Sequence, residues 1–128
     1  MEEKKMKPIF RGDVIYADLG QHVHSTVQSG VRPCVVVSNN TRNKYADRIN
    51  VCPCTTKDRK KDIFGRIKIM PKDVMGYLEK SSWILIDQIT TIDKKKIISK
   101  TGHVRRESEI MEEIDFTIRK QLGIECNE

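Results

Sequence analysis

The chain has no apolar run approaching the ~20 residues that a membrane-crossing helix needs. Its opening, Met1-Glu2-Glu3-Lys4-Lys5-Met6-Lys7-Pro8, lacks the apolar core of a secretion signal. A soluble, cytoplasmic protein with no membrane partner is therefore expected. Aromatic residues are scarce: one Trp, three Tyr and three Phe among 128 residues. Stacking on bases cannot dominate any recognition of nucleic acid by so few rings. The four cysteines, Cys34, Cys52, Cys54 and Cys126, contain no C-x-x-C pair and have no histidine cluster nearby, which argues against a zinc site. Disulfides are not expected in a cytosolic chain. No cluster of Asp and Glu suggests a two-metal nuclease, so no metal and no other cofactor is expected. Repeats and low-complexity linkers are absent too. The 128 residues read as one domain, with 1–8 expected to be flexible.

What is present is positive charge. Lys and Arg number 24 against 18 Asp and Glu, a net charge of +6. That balance favours a polyanionic partner, nucleic acid or an acidic protein. The charge gathers in Lys57-Asp58-Arg59-Lys60-Lys61 and in Lys94-Lys95-Lys96, each either a phosphate contact or a solvated loop.

Segments rich in β-branched and apolar residues predict strands at 14–19, 33–38, 49–55, 65–70, 82–89 and 96–104. Pro53 suits an edge or a bulge, because it has no N–H to give a ladder. Asn39-Asn40-Thr41-Arg42-Asn43 reads as a turn. Near the end the period changes: Ile110, Ile114, Ile118 and Leu122 recur every four residues and Gly123 supplies a stop, the pattern of one amphipathic helix. The expected fold class is mainly β with a C-terminal helix, as a small, curled, mostly antiparallel barrel. Tyr16 and Trp83 lie in strand patterns and are expected in the core. His103 is expected to be structural.

Gly30-Val31-Arg32-Pro33 mounts an arginine at the mouth of an apolar strand. Gly30 gives backbone freedom, while Pro33 fixes its own φ and biases Arg32 toward extended geometry. Such a mounting serves a guanidinium that meets phosphate in two-point contact; a strand-edge arginine beside a turn is the plain alternative. If the second and third strands pair as an antiparallel hairpin, residues near 32 lie opposite residues near 55. Arg32 and Thr55 then share one end of the sheet beneath the polar loop 21–29. There Arg32 would stabilise charge growing on a phosphoryl group, and Thr55 would orient it. Without a metal, cleavage of a phosphodiester needs an internal nucleophile, and the RNA 2′-hydroxyl is one. Further candidates for contact with RNA are Thr26, Gln28, Ser38, Asn39, Lys57 and Gln88. Ser38 and Asn39 equally suit a turn, and Gln88 equally suits inward packing. His22 and His24 sit on the overhanging loop; His24 is the candidate general base, since an imidazole with its ordinary pKa of about 6.5 suits proton transfer.

Four blocks carry a resemblance: Arg11-Gly12-Asp13-Val14-Ile15-Tyr16-Ala17-Asp18-Leu19, Gly30-Val31-Arg32-Pro33, the Thr55 strand, and Asp87-Gln88-Ile89-Thr90-Thr91-Ile92-Asp93. In that order and spacing the chain resembles the MazF/PemK family of toxin endoribonucleases, from about Phe10 to Gly123. The resemblance implies an SH3-like barrel, shared with gyrase-poisoning toxins, and a homodimer. It also implies metal-independent cleavage of single-stranded RNA at short sequences, leaving a 2′,3′-cyclic phosphate and a 5′-hydroxyl. A cognate antitoxin of the MazE type, with an acidic extended tail, is the implied inhibitor. The family's catalytic arginine and threonine fall on Arg32 and Thr55. Two departures stand out. Ser29-Gly30 replaces a pair of glycines, and Asp87-Gln88 replaces Glu-Gln, which bears on the bases accepted. A non-enzymatic binder of a protein such as gyrase is the competing reading.

Overall fold

The computed structural model describes residues 7–25, 27–57 and 65–124. Among the described residues eight strands and two α-helices follow in order: β1 (Asp13–Asp18), β2 (Val31–Val36), α1 (Asn40–Tyr45), β3 (Arg48–Thr55), β4 (Arg66–Ile69), β5 (Met75–Gly76), β6 (Ser82–Leu85), β7 (Thr90–Asp93), β8 (Ile97–His103) and α2 (Glu109–Gln121). Neighbouring strands run β4-β6-β3-β2-β1-β8-β5, with β7 also paired to β3, and these neighbours are antiparallel. The result is a curled, antiparallel half-barrel with a C-terminal helix.

Alternate residues of a strand face opposite ways, and in this sheet both faces are buried. Ile15, Ala17, Cys34, Val36, Ile49, Val51 and Ile92 pack together on one side. Val14, Val35, Cys52, Cys54, Ile67, Ile84 and Ile86 pack on the other, under Met111 and Ile114 of α2. This is why Cys34-Val35-Val36-Val37 is apolar without alternation. Ser108 caps α2 by accepting from the Met111 N–H at 3.2 Å. Arg11 fastens the helix to the sheet, donating from Nε to the Val37 carbonyl at 2.8 Å and pairing with Asp115. Of the predicted apolar stripe, Leu122 alone falls outside; it is 57% exposed at the helix end.

Four expectations are corrected. The segment predicted as a turn after β2 is helix α1. Asn39 Oδ1 accepts from the Arg42 N–H at 2.8 Å, and the buried Asn43 amide donates to the Ser38 carbonyl at 2.8 Å. The predicted single strand 82–89 is broken by a 3₁₀ turn at Ile86–Gln88, dividing β6 from β7. Both halves pair with β3: Val51 faces Thr90 of β7, and Cys54 faces Ile84 of β6. Pro53, expected on an edge or bulge, therefore sits in a central strand. It stands in the gap where β3 exchanges one neighbour for the other and that edge has no ladder partner. Trp83 and Tyr16 are half-buried rather than core, with Lys68 Nζ 5.8 Å from the Trp83 ring. His103 is structural: its Nδ1 lies 2.7 Å from Oδ1 of the buried Asp13, whose Oδ2 accepts from Lys100 Nζ at 3.0 Å. Among the described residues no helix is long and apolar enough to cross a membrane.

Candidate active site

The β1–β2 hairpin narrows to a neck before its loop opens. The Leu19 N–H donates to the Gly30 carbonyl at 2.9 Å, and the Gly30 N–H to the Gly20 carbonyl at 2.8 Å. Gly20 and Gly30 have φ of 78° and 76°, a left-handed backbone that side chains resist. Residues 21–25 and 27–29 lie beyond this neck, and Arg32 is the second residue of β2 below it.

Pairing of β2 with β3 runs Val36–Val51, Val35–Cys52 and Cys34–Pro53. The ladder ends at Cys34–Pro53; carried two residues further, its register would set Arg32 against Thr55, and residues directly opposed share a face. Each is fixed by one bond. Arg32 is half-buried and donates from Nε to the Ser29 carbonyl at 3.2 Å. That bond orients the guanidinium and leaves the terminal nitrogens without a hydrogen bond among the described residues. Thr55 is 4% exposed, and its Oγ1 accepts from the Lys57 N–H at 3.2 Å. A hydroxyl has one hydrogen to donate; with an acceptor site filled from Lys57, the hydrogen is left for another partner.

The loop is tied down from across the molecule. The Gln28 N–H donates to Gln88 Oε1 at 2.8 Å, a link spanning 60 residues. Gln88 lies in the 3₁₀ turn between β6 and β7, so that turn holds the loop base next to Ser29, the residue that anchors Arg32. Arg66, which sequence reasoning did not single out, donates from Nη1 to the Lys57 carbonyl at 3.3 Å and braces the turn carrying Thr55. Its Nε is buried with no hydrogen-bond partner among the described residues. An alternating basic and apolar strand gave no signal that one of its basic residues is half-buried with its Nε covered.

The remaining candidates divide. Lys57 is exposed next to Thr55, with its backbone engaged on both sides. His22 and His24 are exposed on the loop; His24 has φ of 59°, a left-handed geometry uncommon outside glycine. Thr26 lies outside the described residues, as do positions 58–61 of the first basic run. Ser38 and Asn39 lie past the opposite end of β2 and serve the fold. Ser38 is 7% exposed, donates from Oγ to the Asn43 carboxamide and accepts from the Asn50 N–H at 3.0 Å; Asn39 caps α1. Burial pushes the thiols of Cys34 and Cys52 up to about 12, so neither is a ready nucleophile. Among the described residues no three His, Cys, Asp or Glu side chains gather as a metal site.

Fold and site together mark one class of protein: a small, basic half-barrel closed by a C-terminal helix, with an arginine and a threonine opposed at the mouth of a tethered loop. Residues 10–122 match the PemK-like, MazF-like toxins of type II toxin–antitoxin systems, and the chain belongs to that family. Solved relatives agree in shape. An endoribonuclease in complex with its cognate antitoxin, from a mycobacterial species, is 25% identical with a TM-score of 0.73, the match covering 92% of this chain and 98% of that one. MazF (Form-I) from Deinococcus radiodurans is 18% identical with a TM-score of 0.74, covering 93% and 100%. The Mycobacterium tuberculosis toxin MazF-mt6 is 14% identical with a TM-score of 0.70, covering 89% and 99%. At such identities the last two speak to the fold alone.

Proposed function

We propose that the protein is a sequence-specific endoribonuclease toxin that cleaves single-stranded RNA without a metal ion. The observation that carries this reading is the β2–β3 register, which carried two residues past Cys34–Pro53 would bring Arg32 opposite Thr55 below the tethered loop. The RNA 2′-oxygen attacks the adjacent phosphorus and the bond to the 5′-oxygen breaks. A 2′,3′-cyclic phosphate and a 5′-hydroxyl remain once the 2′-hydroxyl proton has left and the 5′-oxygen has gained one. The terminal nitrogens of Arg32 meet the phosphoryl oxygens, where negative charge grows. A guanidinium is no base in water, so Arg32 does not take the proton. Thr55 donates its free hydrogen to the same phosphate, with Lys57 and Arg66 holding the hydroxyl in place. Gln28, Lys57 and Gln88 lie where they can meet bases or phosphates on either side of the cut. His24 on the loop above is the imidazole available to accept the 2′-proton.

Membership of a toxin family and the antitoxin complex of the mycobacterial relative support a cognate antitoxin as the natural inhibitor. A homodimer is the assembly that the family resemblance implies. A toxin acting purely by binding a protein target needs no arginine and threonine opposed in this way. Incubation with a long RNA in EDTA tests the reading. Cleavage by the wild type is expected, with a loss of roughly 10²–10³-fold for Arg32→Ala, comparable to removing one oxyanion donor elsewhere. Thr55→Val, which keeps the shape and removes the hydroxyl, should also lower the rate. No cut under any condition would overturn the proposal.

A further inference from the structure

Resting on the ribonuclease reading, we propose that a basic corner at the other end of β3 is a second RNA contact, gripping phosphates of the strand several nucleotides away from the cleaved bond. Three separate segments build this corner: the end of α1, the start of β3 and the 3₁₀ turn Lys94–Lys96. Arg48 pairs with Asp93 across the β3–β7 ladder, and the Lys94 N–H donates to the Asp47 carbonyl at 2.9 Å. The buried Asn43 amide anchors α1 beside them. Arg42, Lys44, Arg48, Lys94, Lys95 and Lys96 face only Asp47 and Asp93 in these segments, a net +4 out of the +6 of the whole chain.

None of the six cations forms an ion pair among the described residues, and the Asp93 carboxylate is occupied in capping the Lys95 N–H at 2.8 Å. Six unpaired like charges repel one another, a cost that a polyanion relieves. Tyr45 is 75% exposed with Lys44 Nζ 5.2 Å from its ring, which offers a base one aromatic platform beside a cation. Lysines without a carboxylate partner suit phosphates along a strand and carry no base readout. An acidic protein would want a cluster of apolar anchors, and Tyr45 is the single large exposed apolar side chain in these segments. From Arg48 to Thr55 the strand spans roughly 23 Å, so only an extended RNA reaches both places.

The test compares a short RNA filling the catalytic end with a longer one extended on both sides, using fluorescence anisotropy in an Arg32→Ala background. The longer RNA is expected to bind at least about tenfold more tightly at low salt. Replacing Arg42, Lys44, Lys95 and Lys96 together by Gln should abolish that preference and lower the salt slope by about 3, near 0.7 per phosphate contact. Affinity for the short RNA should not change. Acetylation footprinting of the unaltered corner gives an independent reading: the long RNA should shield Lys44, Lys95 and Lys96, and the short one should not. A retained preference with the same slope, or no shielding, overturns the proposal. So does loss of binding to polyglutamate alone, which assigns the corner to an acidic protein. Cleavage of the short RNA by the four-Gln variant with Arg32 intact reports on the catalytic end by itself, so failure there and failure at the corner are told apart.

Discussion

Replacing Gln88 by Leu removes the acceptor that holds Gln28 while keeping a side chain of similar size. The lost bond is a 2.8 Å contact between half-buried groups. A hydrogen bond of this type is worth about 1 kcal/mol net, roughly a fivefold change in an equilibrium constant. Opening of the loop base should become about fivefold more frequent, and exchange of the Gln28 amide hydrogen, followed by NMR, should accelerate by the same factor. Gln88→Glu keeps an acceptor and adds charge, so exchange there should be no faster than in the wild type. The effect should reach Arg32, because Gln28 adjoins Ser29, whose carbonyl holds the guanidinium. Cleavage by the Leu variant should fall by a similar factor while the unfolding midpoint moves little. An unchanged exchange rate at Gln28 in Gln88→Leu would refute the tether and the coupling to Arg32.

Gly12→Ala should be destabilising by roughly 2–4 kcal/mol in urea unfolding, combining a left-handed backbone with forced displacement. Gly12 has φ of 94°, and an added Cβ would lie 2.6 Å from the Val104 carbonyl oxygen. In a Cys126→Ser background the native protein should resist thiol reagents up to pH 9, since burial lifts Cys34 and Cys52 from the ordinary 9.0 to about 12. The sign follows from the unfolded chain ionising first. The thiols' contribution to stability is whole below pH 9 and is lost as pH climbs toward 12. His24→Ala should lower cleavage less than Arg32→Ala does, and an equal loss at unchanged stability would make His24 a catalytic group.

Much of the architecture is legible in residue types because β1 to β4 are short apolar or alternating runs between turn formers. Ile110, Met111, Ile114 and Ile118 mark α2 by period alone. The helix α1 escapes because the Asn-rich run 39–43 reads as a turn by local preference, while the Asn39 cap and the buried Asn43 amide, bonded to Ser38, hold it in a helix. The break at Ile86–Gln88 escapes for another reason. Ser82-Trp83-Ile84-Leu85-Ile86 is apolar throughout, and the interruption is imposed by β3, whose two successive partners differ in register. The two-residue β5 is too short for any pattern.

At the candidate site, antiparallel pairing alone brings Arg32 and Thr55 to one end of the sheet, as the hairpin argument requires. The Gln28–Gln88 link and the Arg66 brace are contacts between a side chain and a distant backbone, and no spacing in sequence encodes them. Ser38 and Asn39 look like surface polar residues in sequence; their hydrogen bonds to Asn43, Asn50 and Arg42 commit them to the fold.

If Arg32 and Thr55 cleave RNA through its own 2′-hydroxyl, the product ends carry the signature. They are read by mapping the ends of a long RNA after incubation with wild type and Arg32→Ala in EDTA. Cuts at a short recurring sequence, with 2′,3′-cyclic phosphate and 5′-hydroxyl ends and absent from Arg32→Ala, are the predicted result. Cuts that vanish in EDTA, that leave 5′-phosphates, or that persist at the wild-type rate in Arg32→Ala would contradict it.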